Sequence, residues 1–238
     1  MASVNASMGN AAPSKGNSAK PDPAKRNTAK SNPAKRNPEA ARLRKLAAAL
    51  AEFSEKGLGG ARVDVISERA GANKRMLYHY FGNKDDLFLA VLELAYGDLR
   101  EAEKALNLDD LSPVEGMRKL VAFTFDYFNR TPYFINLLNS ENLHGARHLR
   151  RSKAILDMHG SVIGLITDLL RRGVAEGGFR DDANPIEVFI TNASVGYFYF
   201  SNVHTLSTIF DCDLMSEPEI ARRRTHVIDV VLGYLRPA

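Results

Sequence analysis

Apolar residues recur along this chain at intervals of three and four positions, the spacing that places side chains on one face of an α-helix. Leu43, Leu46, Leu50 and Phe53 follow that spacing and predict a first helix that ends at Gly57. No segment alternates apolar and polar residues between turn signals, so no β-strand is expected. The pattern predicts an all-α protein.

Several later helices are marked by capping residues. Each combines a Ser, Asn or Thr, whose side chain can accept a hydrogen bond from a free backbone N–H group, with an early acid or a proline. These predicted starts lie at Asn83, Ser112, Thr131, Asn184 and Ser216. They divide the chain after residue 83 into helices joined by short loops.

The stretch GANKRMLYHYFGNK is unusual because its helix begins with two long cations, Lys74 and Arg75, and is bounded by glycines. The helix before it places small or branched apolar residues on one face, namely Val63, Ile66 and Ala70. Gly71 permits a sharp turn with positive φ, and Asn73 can cap the second helix, which turns Leu77 and Tyr80 inward toward the first. Two helices in this arrangement predict a helix-turn-helix, which inserts its second helix into the major groove of DNA.

On this interpretation, Lys74 and Arg75 lie where base edges and phosphates would be, since Arg suits bidentate contact with guanine and Lys suits guanine or phosphate. Tyr78 and His79 lie one turn further and would reach phosphates or thymine methyl groups. Helix-turn-helix geometry also occurs in proteins that bind no DNA, so a purely structural two-helix corner is the alternative.

The segment ARVDVISERAGANKRMLYHYFGNKDDLFLAVL resembles the DNA-binding region of TetR-family transcriptional regulators. The matching positions are Gly57, Val63, Ile66, Ala70, Gly71, Leu77, Tyr78, Tyr80, Phe81, Lys84, Asp85 and Leu87. The resemblance implies a three-helix DNA-binding domain at residues 39–90, followed by a larger helical domain for ligand binding and dimerisation at 91–238. It also implies phosphate contacts from Tyr78 and Lys84, with Lys84 at a helix start that favours anions.

Three residues depart from the family pattern. Arg62 stands where Ser or Thr is usual, so the second helix is expected to lack its cap and to gain a phosphate contact. Asn73 replaces a customary Ser, and Arg75 replaces a frequent Gly next to the DNA. The predicted DNA-binding set is Arg62, Asn73, Lys74, Arg75, Tyr78, His79, Tyr80 and Lys84.

The larger domain has two helices with wide apolar faces. One carries a seam formed by Leu156, His159, Ile163, Ile166 and Leu170, and a later one carries the consecutive aromatics of VGYFYFSNVH. A helix that is apolar around most of its circumference must pack against the core of its own chain on one side and against another surface on the other. We expect a second copy of the chain to supply that other surface.

A mostly apolar cavity with a few polar groups is expected in this domain, and it would suit a small organic effector. The predicted lining is Phe123, Tyr127, Phe134, Leu138, His159 and Asn192. The alternative is that all six residues only pack the core, with His159 an ordinary interior histidine.

Glu141, His144 and His148 have a spacing that could bind a metal. Gly145 interrupts the helix and nearby arginines would repel a cation, so solvated surface is the preferred interpretation. We therefore predict no metal site and no cofactor.

The 238 residues have a formal net charge of +4, concentrated at the N-terminus. Residues 1–38 carry seven Lys and Arg against one acid, Asp22, and contain no aromatic residue. Such a segment cannot bury enough apolar surface to offset the entropy lost on ordering, so we expect a disordered basic tail. The tail would act as an electrostatic tether on DNA or only as a solubilising leader, and Met8 is an alternative start.

No apolar run is long enough to span a membrane, no secretory signal is apparent, and a single cysteine, Cys212, fits a reducing compartment. A cytoplasmic protein without a membrane partner is expected. Together these features predict a homodimeric, ligand-responsive repressor of a palindromic operator. The alternatives are a nucleoid-type protein that binds DNA nonspecifically through its tail, and an enzyme, although no phosphate-binding loop, GxSxG or HExxH motif occurs.

Overall fold

The computed structural model describes residues 38–237, which form ten α-helices and one 3-10 helix and contain no strand. The all-α prediction is confirmed. The predicted basic tail lies outside the described residues, apart from Pro38. The helices are α1 Pro38–Gly60, α2 Val63–Arg69, α3 Lys74–Phe81, α4 Lys84–Lys104, α5 Pro113–Arg130, α6 Pro132–Leu143, α7 Lys153–Ala175, α8 Pro185–Ser201, α9 Val203–Phe210 and α10 Glu217–Leu235. The 3-10 helix, Leu149–Arg151, lies in the loop between α6 and α7.

The chain kinks at Gly57, the residue at which the sequence predicts the end of the first helix. Gly57 has φ 63° and ψ 175°, a conformation that only glycine adopts readily, and helical structure continues to Gly60. The bend deprives the N–H of Leu58 of its helical partner, and that group donates to Ser140 Oγ on α6 at 3.0 Å instead. The bend thereby joins α1 to the larger part of the protein.

The predicted helix starts are confirmed at all five positions. Asn83 accepts a hydrogen bond from the N–H of Asp86, Ser112 from that of Glu115, and Asn184 from that of Ile186. Thr131 and Ser216 precede their helices without a side-chain cap, so proline in the first turn marks these two starts instead.

Two apolar cores hold the helices together. The first contains Phe53, Ile66, Leu77 and Phe88 and continues into α6 and the start of α7, while the second lies among α5, α7, α8 and α10. The predicted boundary between residues 39–90 and 91–238 falls within α4, whose N-terminal half packs in the first core. A single continuous helix therefore belongs to both predicted domains.

The apolar face of α7 differs from the predicted seam at its beginning. Leu156 is 62% exposed, whereas its neighbour Ile155 is buried, and the buried face continues through Val162 and Ile166. A one-residue shift at the start of the predicted seam accounts for this difference, because adjacent residues of a helix point about 100° apart.

Candidate DNA-binding surface and effector cavity

The turn between α2 and α3 has the geometry that the sequence predicts. Gly71 has φ 59°, and the Asn73 side chain accepts a hydrogen bond from the N–H of Met76 at 2.8 Å. Leu77 is 1% exposed and anchors α3 to the first core. The cap and the anchor fix which side of this short helix faces away from the protein.

The outward side of α3 carries the predicted contact residues. Lys74, Arg75, Tyr78 and His79 are all exposed. Lys74 Nζ lies 3.1 Å from Asp64 Oδ1, whereas Arg75 makes no ion pair within residues 38–237. An exposed cation without a local anion is suited to a polyanionic partner.

Tyr80, which is also a member of the predicted DNA-binding set, faces the protein. It is only half-exposed, and the ammonium group of Lys45 lies 4.1 Å from the centre of its ring. Burial, with a smaller contribution from Arg44, lowers the pKa of Lys45. The position of Tyr80 thus indicates a packing role, because i+3 from Leu77 falls on the inward side of α3.

Arg62 and Lys84 flank α2 and α3. Arg62 precedes α2 without a side-chain cap, as predicted, and its backbone N–H donates to Glu52 Oε1 at 3.0 Å. Lys84 is the first residue of α4, as predicted, and its Nζ lies 3.5 Å from the carbonyl oxygen of Gly59. The Lys84 ammonium group therefore lies at the carboxyl end of α1, where a positive charge is favourable.

A cavity of about 210 Å³ lies among α4, α5, α6, α7 and α8. Four of the six residues predicted for an effector site surround it, namely Phe134, Leu138, His159 and Asn192. The other two do not. Phe123 lines a separate open groove between α5 and α10, and the Tyr127 ring packs between the rings of Phe123 and Phe134 at centroid distances of 5.7 and 5.9 Å.

The cavity also contains an ion pair that the prediction omitted. Arg100 and Glu103 are 3% and 5% exposed, and Arg100 Nη1 contacts Glu103 Oε2. Burial raises the pKa of Glu103 to about 7, although Arg100 opposes this shift. A sequence signal did exist: both residues continue the buried face of α4 that contains Tyr96 and Leu99, where charged residues are rare.

Three other polar groups of the cavity have defined orientations. Asn192 Nδ2 donates to Thr124 Oγ1 at 3.0 Å, and Thr124 Oγ1 donates to the carbonyl oxygen of Leu120. His159 Nδ1 lies 3.1 Å from the carbonyl oxygen of Ile155 and must donate to it, which leaves Nε2 as an acceptor. Burial lowers the pKa of His159, so the ring is held neutral.

The expectation of solvated surface around Glu141 and His148 is wrong. Both side chains are 1% exposed, and His148 Nδ1 donates to Glu141 Oε2 at 2.6 Å. The His148 ring packs edge-on against Phe88 of α4 at a centroid distance of 5.1 Å. The 3-10 helix after His148 turns the chain back over α4, and this long-range contact is not visible in the local sequence.

Two ion pairs connect the same loop to the first turn of α4. Arg147 Nη2 lies 3.4 Å from Asp85 Oδ1, and Arg151 Nη2 contacts Asp86 Oδ1. Ser152 Oγ also donates to Glu93 at 2.7 Å. This loop, which follows α6, thus holds the part of α4 that directly follows α3.

The described part of the chain contains neither a metal-binding cluster nor a membrane-crossing helix. Within residues 38–237 no three His, Cys, Asp or Glu side chains are grouped closely enough to hold a metal ion. None of the described helices combines the length and the apolar character that crossing a bilayer would require.

Comparison with known proteins identifies both parts of the chain. Residues 46–91 match the model of bacterial regulatory proteins of the tetR family, and residues 113–231 match that of the tetracyclin repressor-like C-terminal domain. The HTH-type transcriptional repressor NicS of Pseudomonas putida is 40% identical over 191 residues, which cover 80% of this chain and 90% of NicS.

Two further similarities agree with this assignment. The HTH-type transcriptional repressor SCO4008 of Streptomyces coelicolor is 34% identical over 139 residues, covering 58% of this chain and 68% of that protein. The crystal structure of FadR from Bacillus subtilis, in complex with stearoyl-CoA, has the same fold, with a TM-score of 0.64 and 14% identity over 82% of this chain and 100% of FadR. The chain belongs to the TetR family of bacterial transcriptional regulators.

Proposed function

We propose that this protein is a homodimeric repressor that binds a palindromic operator through α3 and leaves it when a small organic effector occupies the cavity described above. The observation that carries the proposal is the course of α4. This helix begins at Lys84, directly after α3, and its last two turns carry Arg100 and Glu103 of the cavity. Its 21 residues span roughly 30 Å, so a displacement at one end is transmitted to the other.

The outward face of α3 supports the DNA-binding part. Arg75 is exposed and unpaired in the described chain, and Lys74 shares only an exposed pair with Asp64, which DNA phosphates can displace. Tyr78 is 40% exposed on the same face. These side chains match what major-groove contact requires, namely long donors at the N-terminal end of a helix.

Unpartnered apolar residues support the dimer. On α8, Ile186, Ile190 and Phe198 are 55%, 50% and 58% exposed. Their spacing of four and eight residues places them along one side of the helix, and Val230 and Tyr234 on α10 are also partly exposed. Large apolar side chains aligned in this way are typical of a subunit interface. A two-fold dimer would present two copies of α3 to a two-fold symmetric DNA site.

The comparisons support the direction of regulation and the role of the cavity. NicS and SCO4008 are both named as repressors. FadR, which shares the fold, is described in complex with stearoyl-CoA, a small molecule. In the ligand-bound state the cavity would favour one position of α4, and the spacing of the two α3 helices would no longer match the operator.

The test is to let the full-length protein select the sequences it binds from a pool of random duplex DNA at physiological salt. A repressor of this type selects a palindrome with half-sites about one helical turn apart. DNA retention without enrichment of any sequence would instead favour the nucleoid-type alternative, in which the basic residues 1–38 supply the affinity. A failure to retain any DNA would exclude both.

On the selected site, two classes of variant distinguish residues that contact particular bases from residues that contact only phosphates. Arg75→Ala is expected to weaken binding by about 1–3 kcal/mol and to relax the preference at particular base pairs. Lys84→Ala and Tyr78→Ala should weaken binding to all sequences alike, because phosphate contacts carry no sequence information. Arg118→Ala, which removes an exposed arginine of α5 on the open groove, is the matched control for loss of one positive charge.

A further inference from the structure

The cavity contains two buried atoms whose hydrogen-bonding capacity no described residue satisfies. They are Arg100 Nε, a donor, and Asn192 Oδ1, an acceptor. The Arg100 side chain is 4% exposed, and Asn192 is 6% exposed. Unpaired buried polar atoms are unfavourable and rare in folded proteins. A ligand that supplies an acceptor to the first and a donor to the second would remove both penalties.

The orientation of the acceptor is fixed by its neighbours. Thr124 Oγ1 donates its hydrogen to Leu120 and accepts the hydrogen bond from Asn192 Nδ2, so the Asn192 amide cannot be reversed without loss of that bond. His159 Nε2 is a second acceptor, because Nδ1 donates to the backbone. The residues that line the cavity therefore include a cationic donor on α4 and neutral acceptors on α7 and α8.

The size and the walls of the cavity restrict the rest of the ligand. Aromatic rings of Tyr96, Phe128, Phe134 and Phe189 contribute to the lining, and the volume is about 210 Å³. An apolar cavity of about 150 Å³ holds a benzene molecule. The available space thus fits one six-membered ring with a carboxyl group and one small polar substituent. Sites for drug-sized molecules are larger, at about 300–1,000 Å³.

The charges of the cavity determine what happens when an anion enters. A carboxylate on Arg100 Nε would lie next to Glu103, and two anions would then share one cation away from water. One of the two must be protonated in such a site. Burial already raises the pKa of Glu103 to about 7, which makes it the group that accepts the proton.

Asp98 of α4 is a further carboxyl whose pKa burial raises, whereas the tyrosines and the histidine near this pair remain neutral. Tyr96 on α4 and Tyr127 on α5 have pKa values that burial raises, to about 12 for Tyr96. His159 on α7 has a pKa that burial lowers, and the charge of Arg100 lowers it further. Neither the tyrosines nor the histidine competes with Glu103 for a proton near neutral pH.

We propose that the cavity binds a small, flat monocarboxylic acid with one hydrogen-bond donor, that its carboxylate binds Arg100, and that Glu103 takes up one proton from solvent on binding. The anion and the proton enter together, so the net charge of the site does not change. The donor of the ligand pairs with Asn192 or His159. This assignment rests on the proposed function, since it names the effector class of the same cavity.

The experiment is isothermal titration calorimetry of the full-length protein with 4-hydroxybenzoate as the probe and 4-hydroxybenzamide as its neutral analogue. Titrations at pH 6, 7, 8 and 9, in two buffers with different ionisation enthalpies, give the protons taken up. We expect uptake close to zero at pH 6, where Glu103 already holds a proton, and close to one at pH 8. The apparent Kd of the carboxylate should rise about tenfold per pH unit above 7. The amide should bind at least tenfold more weakly at pH 7, without uptake.

Variants test the role of each residue. Glu103→Gln is isosteric and permanently neutral, so it should bind 4-hydroxybenzoate with a Kd that does not vary between pH 6 and 9 and without proton uptake. Arg100→Met should abolish the preference for the carboxylate over the amide. Arg118→Met, which removes an exposed arginine outside the cavity, should leave all values unchanged, and the melting temperature of each variant verifies that it is folded.

Three results would overturn the assignment: no binding of 4-hydroxybenzoate at millimolar concentration, equal binding of the amide, or pH-independent affinity in the unmodified protein. Operator binding is measured on the same preparation to separate this proposal from the proposed function. If the protein selects an operator but does not bind 4-hydroxybenzoate, its effector belongs to a different chemical class. A protein that binds the probe with proton uptake but selects no operator retains the cavity assignment and loses the regulatory one.

Discussion

Two buried carboxylates of this protein have different hydrogen-bonding environments. In the loop that holds α4, Glu141 accepts hydrogen bonds from His148 Nδ1 and from the backbone N–H groups of His148 and Leu149, at 2.6, 2.8 and 3.0 Å. In the cavity, Glu103 contacts Arg100, whose Nε has no partner among the described residues. Glu141 and Glu103 are almost equally buried, at 1% and 5% exposure.

The difference shows that burial alone does not identify a ligand-binding group. A carboxylate that accepts several hydrogen bonds in the folded state stabilises the structure around it, whereas an incompletely bonded ion pair is costly unless something else completes it. Glu141 therefore has the properties of a structural joint. Arg100 and Glu103 have those of a binding site, and α4 lies against both.

The largest expected effect on stability follows from removing the Glu141 carboxylate. Glu141→Ala leaves His148 and two backbone N–H groups unpaired in the interior, and it should lower the free energy of unfolding by about 3–5 kcal/mol. Urea unfolding followed by circular dichroism measures this change. Glu101→Ala is the control, because Glu101 is an exposed glutamate whose one ion pair among residues 38–237 is with Lys104, and a change within about 0.5 kcal/mol is expected. A similar small loss for Glu141→Ala would contradict its structural role.

A smaller effect is expected from Glu103, and it depends on pH. Its folded pKa of about 7 lies above the ordinary value of 4.5, so the folded protein retains a proton that the unfolded chain releases. The stability of the unmodified protein relative to Glu103→Gln should therefore fall as pH rises from 4.5 to 7, by on the order of 3 kcal/mol, and then level off. Urea unfolding at pH 5, 6, 7 and 8 checks this. The same comparison with Glu101→Gln should show no trend. A stability difference between the unmodified protein and Glu103→Gln that does not vary with pH would mean that folding does not raise the pKa of Glu103.

The smallest effect on stability is expected from Arg151, whose contact with Asp86 joins the loop to the first turn of α4. The Arg151 side chain is 53% exposed, so Arg151→Ala should cost less than about 1 kcal/mol in urea unfolding. Operator affinity is the more sensitive measurement, because this contact positions the helix that follows α3. Arg130→Ala should change neither quantity, because Arg130 is exposed and its side chain donates to the carbonyl oxygen of Asp126 within α5. Equal effects of the two variants on operator affinity would mean that the contact of Arg151 with Asp86 does not position α4 for DNA binding.

The amino-acid sequence by itself determined the helices, most of their first residues and the helix-turn-helix. These features depend on short-range interactions: Asn73 caps a helix by bonding to Met76, three residues away, and Asn83 does the same with Asp86. Apolar spacing identified Leu77 as the anchor of α3 for the same reason. Residues within one turn of each other meet in almost any context, so their pattern can be interpreted without the rest of the fold.

Tertiary structure alone decided which polar residues are buried and what they meet. Asn192 bonds Thr124 across 68 positions of sequence, and Arg151 meets Asp86 across 65. The same long-range packing buried His148, turned Phe123 away from the cavity and enclosed Arg100, although each appears ordinary in its local sequence. The environment of a side chain is set by every helix packed around it, and that packing, rather than periodicity, distinguishes the joint at Glu141 from the site at Arg100.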